Sequence, residues 1–313
     1  MTVHVIVGAG SVGSVAARLL ADRGEEVRLV SRSGAGPENP RIARIAVDAA
    51  DQAALRHVAE GASVIYNCAN PPYHRWAVDW PPLAASLLET ATEVKAVLAT
   101  VNNLYGYGPV DHPMTERDRF APVGIKGQVR ARMWEDALVA HHSGRVRVTE
   151  VRASDYFGPG LTDTSHLGSR VIPRILTGRP IRVLGNPDAP HSWTYVPDVA
   201  RTLVTLATDP RAWGRAWHVP TAPPQSQRQV IAAMAALAGA PNPSVGSIPR
   251  WVLRLGGPFS PTIREIREVL YQFDRPFVLD STETERVFGL QPTAFPEALA
   301  MTIRWWQARE GRS

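Results

Sequence analysis

With one cysteine in 313 residues, this chain cannot form an internal disulfide or a cysteine metal cluster. Cys68 reads as a small buried apolar residue, because nothing near it in sequence would favour the thiolate. The histidines show no metal-ligand spacing: His141 and His142 are adjacent and cannot both face inward from one helix, so no metal is expected. No apolar run is long enough to span a bilayer, and the opening MTVHVIV lacks the basic flank and cleavage pattern of a secretory signal. A cytoplasmic protein with no membrane partner is therefore expected. A lysine-arginine tract is also missing. The formal charge of +5 is spread along the chain, which argues against a nucleic-acid partner. No GxSxG elbow appears, so covalent serine chemistry is not expected. Lysine is scarce, with Lys95 and Lys126 alone among arginines, and this singles out Lys126.

What is present is an ordinary globular composition, 44% hydrophobic, opening on an unusually informative stretch. Val3, Val5, Ile6 and Val7 are β-branched, as suits a strand buried on both faces of a parallel sheet. Gly8-x-Gly10-x-x-Gly13 follows and opens a segment whose apolar residues, Val12, Val15, Ala16, Leu19 and Leu20, recur at helical spacing. Gly8 permits a tight turn, Gly10 lets backbone N–H groups approach a pyrophosphate, and Gly13 lets the helix pack on the strand. Gly8, Gly10, Ser11, Val12 and Gly13 are accordingly the expected phosphate contacts of a dinucleotide.

A second strand over Glu26–Ser31 ends in Ser31-Arg32-Ser33. An acid there would bind the adenosine ribose hydroxyl, whereas an arginine accommodates a 2′-phosphate. Arg32 between two hydroxyls points to NADP, although a solvent-facing loop arginine would read the same way. A third strand, Arg44–Val47, leads to Asp48 and Ala49, and a fourth, Ser63–Cys68, leads to Ala69, Asn70 and two prolines. In a doubly wound sheet such carboxyl-end loops line the ligand crevice, so these four residues are cofactor candidates as well as plain turn formers. Helices are predicted at Asp51–Ala59, Trp76–Thr92 and Lys126–His141, with further strands at Val94–Val101 and Arg145–Val151. This alternation predicts an α/β, Rossmann-type doubly wound parallel sheet over residues 1–160. From 161 to 313 prolines and short elements dominate, which predicts a smaller substrate-binding domain, with a segment near 190–210 returning to the first. Helices are expected there at Ser165–Leu176, Pro197–Thr208, Ser226–Ala238, Thr262–Tyr271 and Ala294–Gln307.

Taken together, the glycine turn, Asp48, Tyr105-Gly106, Thr115-Glu116, Asp155-Tyr156-Phe157-Gly158-Pro159-Gly160 and Tyr195-Val196-Pro197-Asp198-Val199-Ala200 resemble the extended short-chain dehydrogenase/reductase superfamily, in its epimerase and dehydratase branch. The glycine spacing is closer to its atypical members. The resemblance implies a serine or threonine ending strand five and a Tyr-x-x-x-Lys on the next helix. Those positions fall on Val101, preceded by Thr100, and on Lys126 and Arg130. None of the standard catalysts is present.

Lys126 and Arg130 are four residues apart and share one helix face. A cation beside another cation, partly desolvated, gives up its proton more readily. On that basis Lys126 is expected to donate a proton while Arg130 holds nicotinamide ribose hydroxyls and a developing oxyanion. The alternative is that both are solvated surface cations. Val101 and Lys126 also count as cofactor contacts by position. Asn103 and Tyr105 could supply the hydrogen bonds of the missing serine. Asp155 could be a base or a substrate anchor. His166, His191 and Tyr195 are weaker candidates, read as surface or interdomain groups, and Trp193, Tyr195, Trp251 and Phe259 suit either an aromatic substrate or the core. The resemblance also implies a homodimer through the helices at 76–92 and 126–141, for which Val129, Met133, Trp134, Ala137 and Leu138 form an apolar stripe. Two functions fit: an NADP-dependent oxidoreductase or isomerase of a small organic substrate, and a non-catalytic dinucleotide-binding sensor or scaffold.

Overall fold

The computed structural model describes residues 2–249, 251–252 and 267–310. These divide into two compact units. The first comprises Met1–Gly106, Ile125–Arg152 and Val199–Val219; the second comprises Tyr107–Gly124, Ala153–Asp198 and Pro220–Ser313.

The first unit is built on a seven-stranded sheet. Its strands are β1 (Val3–Val7), β2 (Glu26–Ser31), β3 (Ile42–Ala46), β4 (Ala62–Asn67), β5 (Val97–Asn102), β6 (Arg147–Arg152) and, later in the chain, β10 (Arg215–His218). The order is β10-β6-β5-β4-β1-β2-β3, and each neighbouring pair is parallel. This is the doubly wound Rossmann-type α/β sheet that the alternation predicts. Val5, Ile6, Val7, Leu29, Val30, Ile65 and Tyr66 are buried along its central strands, as expected of strands covered on both faces. The chain winds outward from β1 to β3 and then returns to place β4 on the other side of β1. That reversal makes the carboxyl ends of β1 and β4 the switch point, where doubly wound sheets bind ligands.

The unit's helices include α1 (Ser11–Asp22), α2 (Gln52–Ala59), α3 (Trp76–Glu93) and α4 (Ile125–His142), of which α1, α3 and α4 bear on the site. Helix α3 buries Trp76, Trp80, Leu83, Ser86, Leu87, Thr90 and Ala91, an inward stripe at helical spacing. It continues through Pro81 and Pro82. The carbonyls those prolines leave without an N–H belong to Ala77 and Val78, which are exposed, so water can take the place of the missing donors.

Several boundaries differ from the sequence expectation for local reasons. Strand β5 begins at Val97 rather than Val94, because Val94 N–H donates to Thr90 O at the end of α3 and Lys95 turns through φ 59°. The helix expected at Ser165–Leu176 is only Ile172–Leu176. Ser165 Oγ instead donates to Tyr156 O at 2.6 Å and accepts from Leu167 N, holding a turn. The seventh strand, Arg215–His218, was not anticipated. The helix expected at Thr262–Tyr271 falls largely outside the described residues.

The second unit contains two short parallel pairs, β7 (Asp155–Phe157) with β9 (Trp193–Tyr195), and β8 (Ile181–Val183) with β11 (Val245–Ser247). They accompany helices at Gln227–Ala238 and Phe295–Glu310. Phe157, Ile172, Ile175, Trp193, Tyr195, Ile231, Met234, Phe273, Leu299 and Trp306 form its core. Trp193 and Tyr195 therefore belong to packing, Trp251 is exposed, and Phe259 lies outside the described residues. Among the described residues no helix is long and apolar enough to cross a membrane.

Candidate functional site

The glycine turn sits at the switch point. Gly8 N–H donates to Val30 O, and Cys68 N–H donates to Val7 O, so the turn is pinned between the ends of β2 and β4. Gly8 has φ 108°, and a Cβ there would lie 2.5 Å from the Cys68 carbonyl oxygen. At Gly13 a Cβ would meet the Gly8 carbonyl oxygen at 1.9 Å, so only glycine lets α1 press this closely on the turn. Gly10 differs: a Cβ there would meet nothing within 4 Å. It is the N-cap of α1, makes no side-chain cap and is followed by no acid in the first turn. The backbone donors of Ser11, Val12 and Gly13 thus open a twelve-residue helix at its positive end. Space at Gly10 combined with close packing at Gly8 and Gly13 is the arrangement a pyrophosphate requires, and the residues fit a dinucleotide.

The other cofactor candidates occupy neighbouring loops. Ser31 ends β2 and donates to Ala35 O, Ser33 accepts from Ala35 N–H, and Arg32 between them is exposed. Arg32 is also near enough to α3 to help hold the Asp79 carboxyl below the usual carboxylate range, after the larger effect of the hydrogen bond from Arg75. Asp48 accepts from Ala50 N–H in a turn beyond edge strand β3, and Ala49 is buried beside it. Ala69 and Asn70 follow β4, with Ala69 N–H donating to the buried side chain of Asn67. Burial pushes the Cys68 thiol up to about 12, so it stays a thiol. Val101 is half-buried near the end of β5.

Lys126 and Arg130 are not surface cations. They are 2% and 5% exposed. The Lys126 ammonium lies 4.6 Å from the centroid of the Tyr73 ring, and the Arg130 guanidinium lies 4.5 Å from that of Trp76 and 4.2 Å from that of Trp80. Tyr73, Trp76 and Trp80 carry these cations on one side of α3 and the turn before it. Such contacts are worth about 2 kcal/mol or more when desolvated, which offsets part of the cost of burial. The Tyr73 hydroxyl lies 3.0 Å from the hydroxyl of Tyr105, which follows β5. Asn103 accepts from Tyr105 N–H and so shapes this loop. Beneath it, Arg152 pairs with Glu150 at 2.7 Å and Asn102 donates to the same carboxylate, a buried network spanning β5 and β6.

Sequence reading missed Tyr73, Trp76 and Trp80. Their spacing of three and four residues is the signal that could have found them. Their pairing with the 126/130 stripe was not visible.

Asp155 lies in the second unit. Its Oδ2 is 2.7 Å from His191 Nε2, and its Oδ1 is 3.6 Å from His166 Nε2. His191 Nδ1 in turn faces the Gln272 carbonyl at 3.2 Å. Both His191 nitrogens thus face oxygen atoms. Burial pushes the Asp155 carboxyl up, but His166 and the hydrogen bond with His191 reverse that and hold it below its ordinary range. Burial lowers His166, against a smaller opposing pull from Asp155. His191 is 2% exposed, stacked on Phe273 and Phe277, and so is a core group rather than a surface one. Burial raises the Tyr195 phenol, and Asp198, three residues later, accepts from both Thr293 N–H and Thr293 Oγ1. Among the described residues no group of three His, Cys, Asp or Glu side chains could hold a metal.

No curated protein matches the chain in sequence. Solved structures match its fold closely. UDP-glucose 4-epimerase from Thermotoga maritima, solved with UDP-glucose, superposes at TM-score 0.82 over 99% of this chain and 100% of its own, at 16% identity. dTDP-glucose 4,6-dehydratase from Bacillus anthracis, in complex with NAD, gives 0.81 over 99% and 98%, also at 16%. UDP-glucuronic acid 4-epimerase from Bacillus cereus, in complex with NAD, gives 0.80 over 100% and 99%, again at 16%. At such identity these likenesses show the fold alone. The sequence itself goes further, since residues 4–219, covering the whole glycine-cradled sheet, match a single family model, and the chain belongs to the NAD dependent epimerase/dehydratase family.

Proposed function

We propose that this protein is an NADP-dependent oxidoreductase or isomerase acting on a hydroxyl- or carbonyl-bearing small molecule, with acid–base groups of its own. The observation that carries the reading is the burial of Lys126 and Arg130 on aromatic rings at the positions where the resemblance expects tyrosine and lysine. Two buried cations cost several kcal/mol each before compensation. A disused site would be more stable with apolar groups there.

When bound, the dinucleotide supplies the redox chemistry. The turn from Gly8 to Gly13 holds its pyrophosphate. Arg32 accommodates the 2′-phosphate, supporting NADP for this chain although the Bacillus relatives were solved with NAD. Lys126 places fixed positive charge where a substrate oxygen becomes negative. Seated on Tyr73, its ammonium suits charge stabilisation better than direct proton donation. Arg130, clasped by two tryptophans, keeps the field positive and the helix in register. The solved relatives include enzymes of UDP-glucose and dTDP-glucose, which makes nucleotide sugars the first substrates to test.

Titration calorimetry with NADPH and NADH tests the cofactor assignment. NADPH should bind at least about tenfold tighter, equivalent to about 1.4 kcal/mol. Arg32→Ala should remove most of that preference, and equal affinities in the unmutated protein would overturn it. Turnover is then sought with nucleotide sugars by following the reduced cofactor's absorbance. Loss of that turnover in Lys126→Met, with NADPH affinity retained, is the expected result.

A further inference from the structure

We infer that Tyr73 and Tyr105 act together as the proton-transfer group of this site, taking the place of the tyrosine absent from α4. The inference rests on the reading of the site given above, but its test does not.

Tyr73 and Tyr105 come from different segments, the turn after β4 and the turn after β5, and neighbouring parallel strands bring them to one edge of the sheet. Their hydroxyl oxygens are 3.0 Å apart, so one O–H lies between them. The rings are held edge to face at 6.5 Å, and Trp76 packs against both, at 5.0 Å from Tyr73 and 6.1 Å from Tyr105. Both residues are half-buried, ordered by packing yet within reach of a ligand at the carboxyl edge.

Charged side chains stand against the pair. From α4, Lys126 lies against the Tyr73 ring face, and Arg130 lies on the adjoining Trp76. From the segment that carries Tyr73, Arg75 and Asp79 form an exposed ion pair at 2.6 Å that cancels itself, and His74 is exposed. A phenolate formed on Tyr73 keeps a hydrogen bond from the Tyr105 O–H and has the Lys126 ammonium against its ring. Both effects stabilise the anion.

The step is simple in its balance. A substrate hydroxyl gives its proton to the phenolate oxygen: the substrate O–H bond breaks, a phenol O–H bond forms, and the negative charge moves onto the substrate oxygen beside Lys126. The reverse step returns the proton to a substrate oxyanion.

The test is a spectrophotometric titration of phenol ionisation on the full chain without ligand. Of seven tyrosines, one should ionise at least about tenfold more readily than the rest, a displacement of about one pH unit or more. That early ionisation should vanish in Tyr73→Phe, move at least about tenfold toward the others in Tyr105→Phe, and do the same in Lys126→Met. Circular dichroism establishes that each variant is folded, and the two tyrosine variants suffice if Lys126→Met is not. An unmutated protein without an early-ionising phenol, or one whose early phenol survives in Tyr73→Phe, overturns the inference. NADPH binding measured on the same samples separates the two readings: binding with a featureless titration sinks only the phenol pair, whereas an early phenol lost in Tyr73→Phe without NADPH binding sinks only the cofactor assignment.

Discussion

At the scale of single residues, the clearest test of a buried charge is His166. The unfolded chain takes up a proton on this histidine near the ordinary value of 6.5, whereas burial holds the folded residue below that value. The folded state therefore binds fewer protons than the unfolded state once the pH falls under 6.5, and its stability declines there; above 6.5 the contribution is complete. Asp155 adds a second acid-sensitive term at lower pH, since its folded carboxyl protonates below the ordinary 3.8. Thermal unfolding followed from about pH 7 to 5 should show a melting temperature falling with pH, and His166→Gln should flatten that fall. Equal slopes in the two proteins would show that His166 is not the group responsible. The residue matters because its ring packs edge to face on Phe273 at 4.3 Å, so the same position serves the core and the carboxylate.

Among the elements, the α1–β1 junction and the α3–α4 contact divide the work of the site. The first depends on the absence of a side chain. Gly13→Ala would place a methyl 1.9 Å from the Gly8 carbonyl, and backbone cannot yield as a flexible side chain can. The helix must shift, costing about 1–3 kcal/mol in stability and displacing the backbone donors proposed to hold the pyrophosphate. Calorimetry should show NADPH affinity reduced at least about tenfold, roughly 1.4 kcal/mol, in a protein that still folds. Gly10→Ala is the contrasting variant: no protein atom opposes its methyl, so it should fold normally and weaken binding only through the space it takes from the ligand. The α3–α4 contact depends instead on large side chains. Trp76 and Trp80 hold Arg130 while Lys126 rests on Tyr73, so the two helices are joined by charge on aromatic faces as well as by apolar burial.

On the scale of the whole molecule, α3 and α4 also bear on assembly. Val78 on α3 and Ile125 and Val139 on α4 are large apolar residues 64%, 57% and 69% exposed. Of the stripe read from sequence, Trp134 is already buried and Val129, Met133, Ala137 and Leu138 are half-covered. The proposed homodimer would use the exposed valines and isoleucine more than that stripe. Sedimentation should find a dimer, and Val139→Lys together with Ile125→Lys should yield monomer. A monomer in the unmutated protein at all concentrations sampled would dismiss the proposal.

Local order along the chain was enough to mark six of the sheet's seven strands and the glycine turn, but not the edge strand Arg215–His218. Strand, glycine turn and helix are adjacent in sequence, each has its own period, and the demands on Gly8 and Gly13 are steric demands of near neighbours. The same local reasoning put Lys126 and Arg130 on one helix face. It could not tell a solvated face from a buried one, because burial depends on what another segment presents. Tyr73, Trp76 and Trp80 answer that question from some fifty residues earlier, and Tyr105 joins them only because β4 and β5 are hydrogen-bonded neighbours. His191, distant in sequence from Asp155, likewise meets it only through the pairing of β7 with β9. The glycine turn and the strand–helix alternation follow from short-range sterics and periodicity; the ionic character of the candidate site is a long-range property, decided when tertiary packing removes water from charges that the sequence merely spaces.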